Sequence, residues 1–454
     1  MYKKIRFYIR FISALTTRYY PYLIAGLVLA VITFFSFPYL ISRLPTLRLT
    51  QKIAIIGRYT LTDLPSTITD KITIGLTSLD QSGQPGAGAA KSWEISPDGK
   101  TLNFTINTDL VWHNQTSLVS SDIKYQFKDA IIEYPDSGHL VFHLKDPYSP
   151  LPTLLSKPII RYQTSKLFKS TKVLGLGSYK ISSFKSNGGV LESLLLSPVN
   201  SGSKQPYLSY RFYSSSQQAR TAFKLGLVDQ IEDLPDLAEL KDWPNTTVNK
   251  TRSTERYVGL FFNTQGPNFS GASGKNFRLA ISYAVNKTRW QYRAISPISP
   301  DSWAFNPDTK RYDQDVKRAQ ELMKKVEKVP EKLVINTVPA YLSIAEEVKK
   351  DLADIKLNSE ILVSQEIPSE FDILLIAQAT PTDPDQYNLW HSTQTTTNLT
   401  KLNNPRIDKL LEDGRKTYNL TERKKIYYDF QKYLTEEAPT VFLFYPELYT
   451  LYRK

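Results

Sequence analysis

From Tyr19 to Ser42 the chain runs 24 residues without a charge, and Tyr22–Ile41 within it supplies 20 mostly apolar positions. A bilayer-crossing helix needs about 20 such residues. Tyr19, Tyr20 and Tyr22 at one end and Tyr39 at the other stand where interfacial aromatic belts form. The pattern predicts a transmembrane anchor over residues 19–44 behind a short tail of residues 1–18. The rival reading is a cleaved signal, whose apolar stretch runs about 7–15 residues and closes on an A-x-A-like site. Here the run is longer and ends Phe37-Pro-Tyr-Leu-Ile-Ser-Arg43, which favours the anchor. Five basic residues precede the span and four follow it closely, so charge asymmetry is weak. The shortness of the tail places the N-terminus inside and the large body outside.

Beyond a linker near Pro45–Lys52 the period shortens to two. Leu102, Phe104 and Ile106 alternate with polar residues, predicting a strand with one buried face. Together with Ala90–Ile95 it brackets the turn Ser96-Pro-Asp-Gly99. Asn187-Gly188-Gly189 between apolar runs marks another hairpin. Ser216–Leu225 then reads as a helix with Ala219, Ala222 and Phe223 on one side, stopped at Gly226. The second half changes character. Leu333–Val338 is a strand-like run, Leu342–Ile355 is apolar at 342, 345, 348, 352 and 355, and Ile361–Val363 and Phe371–Ala377 are apolar again. That succession is the signature of an α/β domain. Val316–Val326 and Ile426–Leu434 carry further helical stripes, which are core-facing packing.

A length of 454 residues exceeds one hydrophobic core and implies two or three domains. With 41% hydrophobic and 22% charged residues, disordered, collagen-like and coiled-coil chains are excluded. The absence of cysteine removes disulfides, thiolate metal sites, a cysteine nucleophile and a lipidated N-terminal cysteine. The net charge of +13 suggests nucleic acid until it is located. Residues 1–62 hold nine Lys and Arg and no acid, which leaves 48 of the 57 basic residues against all 44 acidic ones. The excess belongs to the membrane-proximal end, and no nucleic-acid-binding face is expected.

Enzyme motifs are missing: the sequence contains no G-x-x-x-x-G-K-[ST], H-E-x-x-H or G-x-S-x-G. Gly175-Leu-Gly177 lacks the third glycine of a dinucleotide loop. His139 and His143 lie on a strand-like run, where a rise of about 3.3 Å per residue sets them too far apart to share a metal. No catalytic residue, metal or cofactor is expected. Asp383-Pro-Asp385 reads as a turn-forming loop rather than a catalytic pair. Its position is more informative, because it follows the carboxyl end of the strand Phe371–Ala377, where ligands gather in open α/β sheets. Asp383, Asp385, Tyr387, Trp390 and His391 are offered there. A second patch is Ile298–Phe305, with Trp303 and Phe305 in a proline-bounded loop. Trp303 and Trp390 either wall a ligand site or plug loops onto the core.

Eight short segments, in order, resemble one family. They are Ala89–Phe104, Val111–Tyr125, Asp146–Pro150, Leu174–Lys180, Ala222–Asp229, Tyr257–Asn263, Arg278–Lys287 and Thr382–Asp385. Together they resemble the family 5 extracellular solute-binding proteins of oligopeptide, dipeptide and nickel ABC importers. The resemblance covers nearly all of residues 65–454 and implies an α/β, two-lobed periplasmic-binding-protein-like fold behind the anchor helix. Lobe I would span 45–250, with an inserted β-rich subdomain at about 65–157. Lobe II would span 251–435, and residues 436–454, including Val441–Tyr445, would return to lobe I. The implied ligand contacts are Tyr257, Asn263, Trp303, Phe305, Asp383, Asp385, Tyr387 and Trp390. Peptide-binding members place an α-amino-pairing aspartate a few positions before the D-P-D; this chain has Thr380 there, a departure from the pattern.

The resulting expectation is a single-pass, extracytoplasmic receptor that captures peptides, or another small solute, and delivers them to ABC permease subunits without altering them. Alternatives are a non-transport receptor in signalling or adhesion, and an anchored hydrolase, against which the missing motifs speak.

Overall fold

The structure, a computed structural model, describes residues 2–43, 49–165, 170–200 and 202–454. Residues 45–48 of the expected linker and the side chain of Tyr39 lie outside the described residues. Two units are distinguished: Met1–Thr50 with Gly202–Tyr207, and Gln51–Ser201 with Leu208–Lys454.

In the first unit, Tyr2–Arg43 is one helix of 42 residues. Its 18-residue stretch Thr17–Phe34 is long and apolar enough to cross a membrane. Eighteen helical residues rise about 27 Å, close to the ~30 Å of a hydrocarbon core. Apolar side chains along it, such as Tyr22 and Phe34, are exposed.

The second unit is mixed α/β and is organised by three main sheets. A seven-stranded sheet runs in the order 179–187, 190–198, 207–213, 50–56, 230–234, 447–453, 246–252. Its hairpin at Asn187-Gly188-Gly189 places both glycines at positive φ, +57° and +82°, as a tight two-residue connection requires. Strand 50–56 alternates across this sheet: Ile53 and Ile55 join one apolar cluster and Ala54 the other. The helix Ser216–Lys224 starts on Ser215, whose hydroxyl accepts the Gln218 N–H, and buries Ala219, Ala222 and Phe223.

A five-stranded sheet has the order 359–363, 333–337, 373–379, 256–262, 440–444. Strand 256–262 is buried on both sides. Val258, Leu260 and Phe262 face the helices Gly271–Ala284 and Leu342–Ala353, while Tyr257 and Phe261 face Leu420–Glu437. Such two-sided burial is typical of a sheet with helices on both faces. Strands 333–337, 359–363 and 373–379 are parallel, matching the α/β succession read from the sequence.

The insertion is a four-stranded antiparallel sheet in the order 90–95, 101–106, 139–144, 130–136. Leu102, Phe104 and Ile106 point into a core with Leu140, Phe142 and Trp112. Each such side chain contributes about 1.5–3 kcal/mol by leaving water. His139 and His143 do lie on one strand, and each turns instead to a nearby carboxylate, Asp136 and Glu133 respectively.

One expectation is corrected. Thr440–Phe444, which covers most of the Val441–Tyr445 run, does not return to the first sheet but pairs antiparallel with 256–262 in the five-stranded one. Buried apolar residues on both its faces suit either sheet equally, so pattern cannot choose between them. The return comes with Glu447–Arg453, which pairs with 230–234 and 246–252. The chain therefore crosses between the two large sheets twice, at Ser253–Glu255 and at Tyr445–Pro446. The two crossings lie side by side, joined by the Ser253 N–H donating to the Pro446 carbonyl at 2.7 Å.

Candidate functional site

Two parallel strands of the seven-stranded sheet end beside these crossings. Ile56 closes strand 50–56, and Asp233 lies near the end of 230–234. From the five-stranded sheet, Phe444 closes strand 440–444, and the chain after 333–337 turns at Pro339–Tyr341 into the helix Leu342–Ala353. Carboxyl ends of strands are where open α/β sheets leave a crevice. A cavity of about 770 Å³ occupies that place, with Ile56, Tyr59 and Asp233 from one sheet and Tyr341, Ile344 and Phe444 from the other among its lining. Ser253, Glu255 and Tyr445 of the crossings also line it.

The cavity is charged unevenly. Arg289 is neutralised by Asp351 at 2.7 Å and Glu347 at 3.3 Å, and lies near Trp290, which stacks on Phe444. Among the described residues, Asp233, Glu255 and Arg256 form no ion pair. The Asp233 carboxyl is raised above its ordinary value, first by partial desolvation and then by the nearby Glu255 carboxylate. The Tyr59 phenol is raised by burial, then by Asp233, Asp63 and Glu255. Tyr341 is raised by burial and held back by Arg256.

The residues expected from the sequence fall elsewhere. Asp383, 5% exposed, holds Arg423 through two hydrogen bonds of 2.6 and 3.0 Å and accepts a third from the Thr153 hydroxyl. Asp385 holds Arg415 at 2.8 and 3.0 Å, and that guanidinium lies over the ring of Tyr387. The D-P-D carboxylates therefore face partners on the helices Pro405–Lys416 and Leu420–Glu437 instead of a free ligand group. Trp303, Trp390 and Tyr257 belong to the apolar cluster behind the five-stranded sheet, with Phe305 half-buried against it. The Tyr257 hydroxyl donates to Gln378. Asn263 is buried and uses its side-chain oxygen to accept the Gln265 N–H in a turn. His391 is buried and stacked on Tyr387. None of these nine lines the 770 Å³ cavity. Tyr387 lines a second one of about 600 Å³, between the insertion and the helix Pro405–Lys416.

The physical reason is a change of direction after strand 373–379. Its end does reach the crossings, where the Thr380 N–H donates to the Glu255 carbonyl at 2.7 Å. The following loop is then drawn away by Arg423 and Arg415. Tyr59, Asp233, Ser253, Glu255 and Arg256 were missed, although the strand-end rule applied equally to the carboxyl end of 230–234.

Two sheet-centred α/β parts, joined by adjacent crossings with a cleft at their strand ends and carrying a small β insertion, make the fold of the periplasmic peptide-binding proteins. NikZ from Campylobacter jejuni, solved with Ni(L-His), superposes with a TM-score of 0.70 at 23% identity, covering 89% of this chain and 94% of that one. AppA from Bacillus subtilis, solved with a nonapeptide, gives a TM-score of 0.64 at 17% identity over 90% and 95% of the two chains. The chain belongs to the bacterial extracellular solute-binding proteins, family 5, whose profile matches residues 84–399. The oligopeptide-binding protein OppA of Bacillus subtilis is 39% identical over 57 residues, which is 13% of this chain and 10% of that protein. The family and the fold are those of solute-binding receptors.

Proposed function

We propose that the protein is a membrane-tethered receptor of an ABC importer, which takes a peptide into the 770 Å³ cleft and hands it to a permease. The observation that carries this reading is the cleft itself, set at strand ends on both sides of a double chain crossing. Its volume lies in the range of about 300–1,000 Å³ usual for small-ligand sites. Lobe I comprises residues 45–250 with the insertion at about 65–157, and lobe II comprises 251–435. Strand 440–444 extends lobe II, and strand 447–453 returns to lobe I. Main-chain groups at the strand ends pair with an extended peptide, giving affinity that depends little on its sequence. Closure is a rotation about the crossings, and ligand favours the closed form only by its preferential affinity for it.

The helix Tyr2–Arg43 serves as an uncleaved anchor, with the body on the extracytoplasmic side. Tethering raises the local concentration of receptor near its permease. The direct ligand contacts are drawn from Tyr59, Asp233, Glu255, Arg256 and Tyr341 rather than from the D-P-D loop. Native mass spectrometry of the full-length protein in mild detergent tests the reading. A mixture of bound peptide masses is expected; a uniform sugar or metal chelate would overturn the peptide assignment.

A further inference from the structure

The end of the seven-stranded sheet opposite the cleft carries apolar side chains that the fold does not cover. Strands 50–56 and 230–234 run parallel, with Ile56 at the cleft and Thr50 at the far end. At that far end the Asp229 N–H donates to the Lys52 carbonyl and the Arg453 N–H to the Asp229 carbonyl, each at 2.8 Å. The turn Leu225-Gly226-Leu227, which ends the helix Ser216–Lys224 with Gly226 at φ +70°, stands just before Asp229. Leu225 is 69% exposed and Leu227 43%, and a Cβ on Gly226 would meet no atom within 4 Å. Leu49, immediately before strand 50–56, is 84% exposed. A single exposed leucine is ordinary on a protein surface. Three at one end of one sheet form an apolar patch that calls for a partner. Lys52 beside them is exposed and makes no ion pair among the described residues.

Chain length selects that partner. Thr50 stands seven residues after Arg43, the last residue of the helix Tyr2–Arg43. Fully extended, that much chain reaches at most about 25 Å. We infer that this sheet end docks on the bilayer surface, with Leu49, Leu225 and Leu227 entering the boundary between headgroups and acyl chains and Lys52 meeting lipid phosphate. The inference rests on the reading of the helix Tyr2–Arg43 as an uncleaved anchor. Three leucines make too weak a contact to gather a free protein onto a membrane, but so short a tether keeps them at high effective concentration beside it. The lysine adds a charge-assisted contact to phosphate. Docking at Thr50 also aims the other end of the strand, about 20 Å away, towards the medium from which ligand arrives. The cleft lined by Ile56 is thereby held clear of the bilayer.

The sequence has no cysteine, so an introduced thiol is the only one and can be labelled cleanly. Full-length protein is placed in vesicles of phosphatidylcholine and phosphatidylglycerol in equal parts. An environment-sensitive fluorophore is carried on Leu225→Cys, on Leu227→Cys or, as the control, on Lys317→Cys in the helix Val316–Met323, an exposed position on the other large sheet's side of the chain. Lipids spin-labelled on the acyl chain are expected to quench the probes at positions 225 and 227 and to leave the control unquenched. Depth analysis is expected to place the quenched probes about 5–10 Å into the headgroup–acyl boundary. A probe on Lys52→Cys is expected to be quenched in the otherwise native chain and to lose that quenching when Leu225→Glu and Leu227→Glu are added; if it keeps it, the leucines are not what enters the bilayer. Quenching at 225 and 227 no greater than at 317, in protein that stays with the vesicles through an alkaline wash, overturns docking while the anchor stands. A blue shift that grows with protein density and comes without lipid quenching assigns the leucines to a second copy of the chain and overturns the bilayer as their partner. Protein that leaves the vesicles in the wash overturns the anchor, and this inference with it. The comparison of positions 225 and 227 with 317 needs no added charge, so misfolding of the glutamate variant leaves the test intact.

Discussion

The ion pair between Asp383 and Arg423 offers the sharpest test of the D-P-D loop. Both residues are 5% exposed, and the guanidinium meets the carboxylate twice, at 2.6 and 3.0 Å. The Arg423 Nε–H also donates to the Gly414 carbonyl at 2.8 Å, so the arginine cannot swing out to water without losing the helix Pro405–Lys416 as well. Changing Asp383→Asn keeps the shape, removes one charge and strands the other in a low-dielectric site. Breaking a buried pair in this way costs about 3–5 kcal/mol, whereas replacing both partners by apolar residues is often neutral. The assay is urea unfolding at pH 7, followed by tryptophan fluorescence, since Trp303 lies 5.5 Å from the guanidinium. We expect a loss of about 3–5 kcal/mol for Asp383→Asn, and recovery of most of it in Asp383→Leu with Arg423→Met. A loss below about 1 kcal/mol, accompanied by weakened ligand binding, would refute the structural role and restore Asp383 as a ligand contact.

Trp390→Ala is expected to cost about 3–5 kcal/mol in the same unfolding assay through the cavity it leaves, because Trp390 is 1% exposed within the apolar cluster. Gly175→Ala is expected to lower the melting temperature by several degrees in a calorimetric scan, since its Cβ would stand 2.1 Å from the Ile72 carbonyl oxygen. The folded-state pKa of Asp233 lies above its unfolded value, so folding takes up a proton between the two and stability falls as pH rises through that window. The melting-temperature advantage of Asp233→Asn over wild type is therefore expected at neutral pH and should vanish as pH drops through the carboxylate range. An advantage independent of pH would show that the carboxyl's charge is not its source.

Local chemistry was readable wherever a single segment decides its own structure. Alternation at Leu102, Phe104 and Ile106 gave the inserted strand its buried face, and Gly188 with Gly189 gave the hairpin its turn. The helix Leu342–Ala353 buries Ala345, Val348 and Leu352, three of the positions its stripe marked. What could not be read depends on distant partners. Thr440–Phe444 is apolar on both faces, so its sheet is chosen by pairing with residues far earlier in the chain. The partner of Asp383 lies 40 residues on, in a helix whose stripe reported only its apolar face. Asp233 and Glu255 sit on different sides of the strand 246–252 and share a cavity only because the chain crosses between sheets there.

The place of Glu447–Arg453 has a consequence for how the molecule is made. This strand lies inside the seven-stranded sheet, between 230–234 and 246–252, and Thr440–Phe444 forms an edge of the other large sheet. Both come after every other strand of those sheets in the chain, so neither sheet is completed until these two strands have emerged. Until then 230–234 and 246–252 present unpaired edges of the kind that invite wrong pairing. A nascent chain of this design needs its open edges shielded until these two strands have emerged.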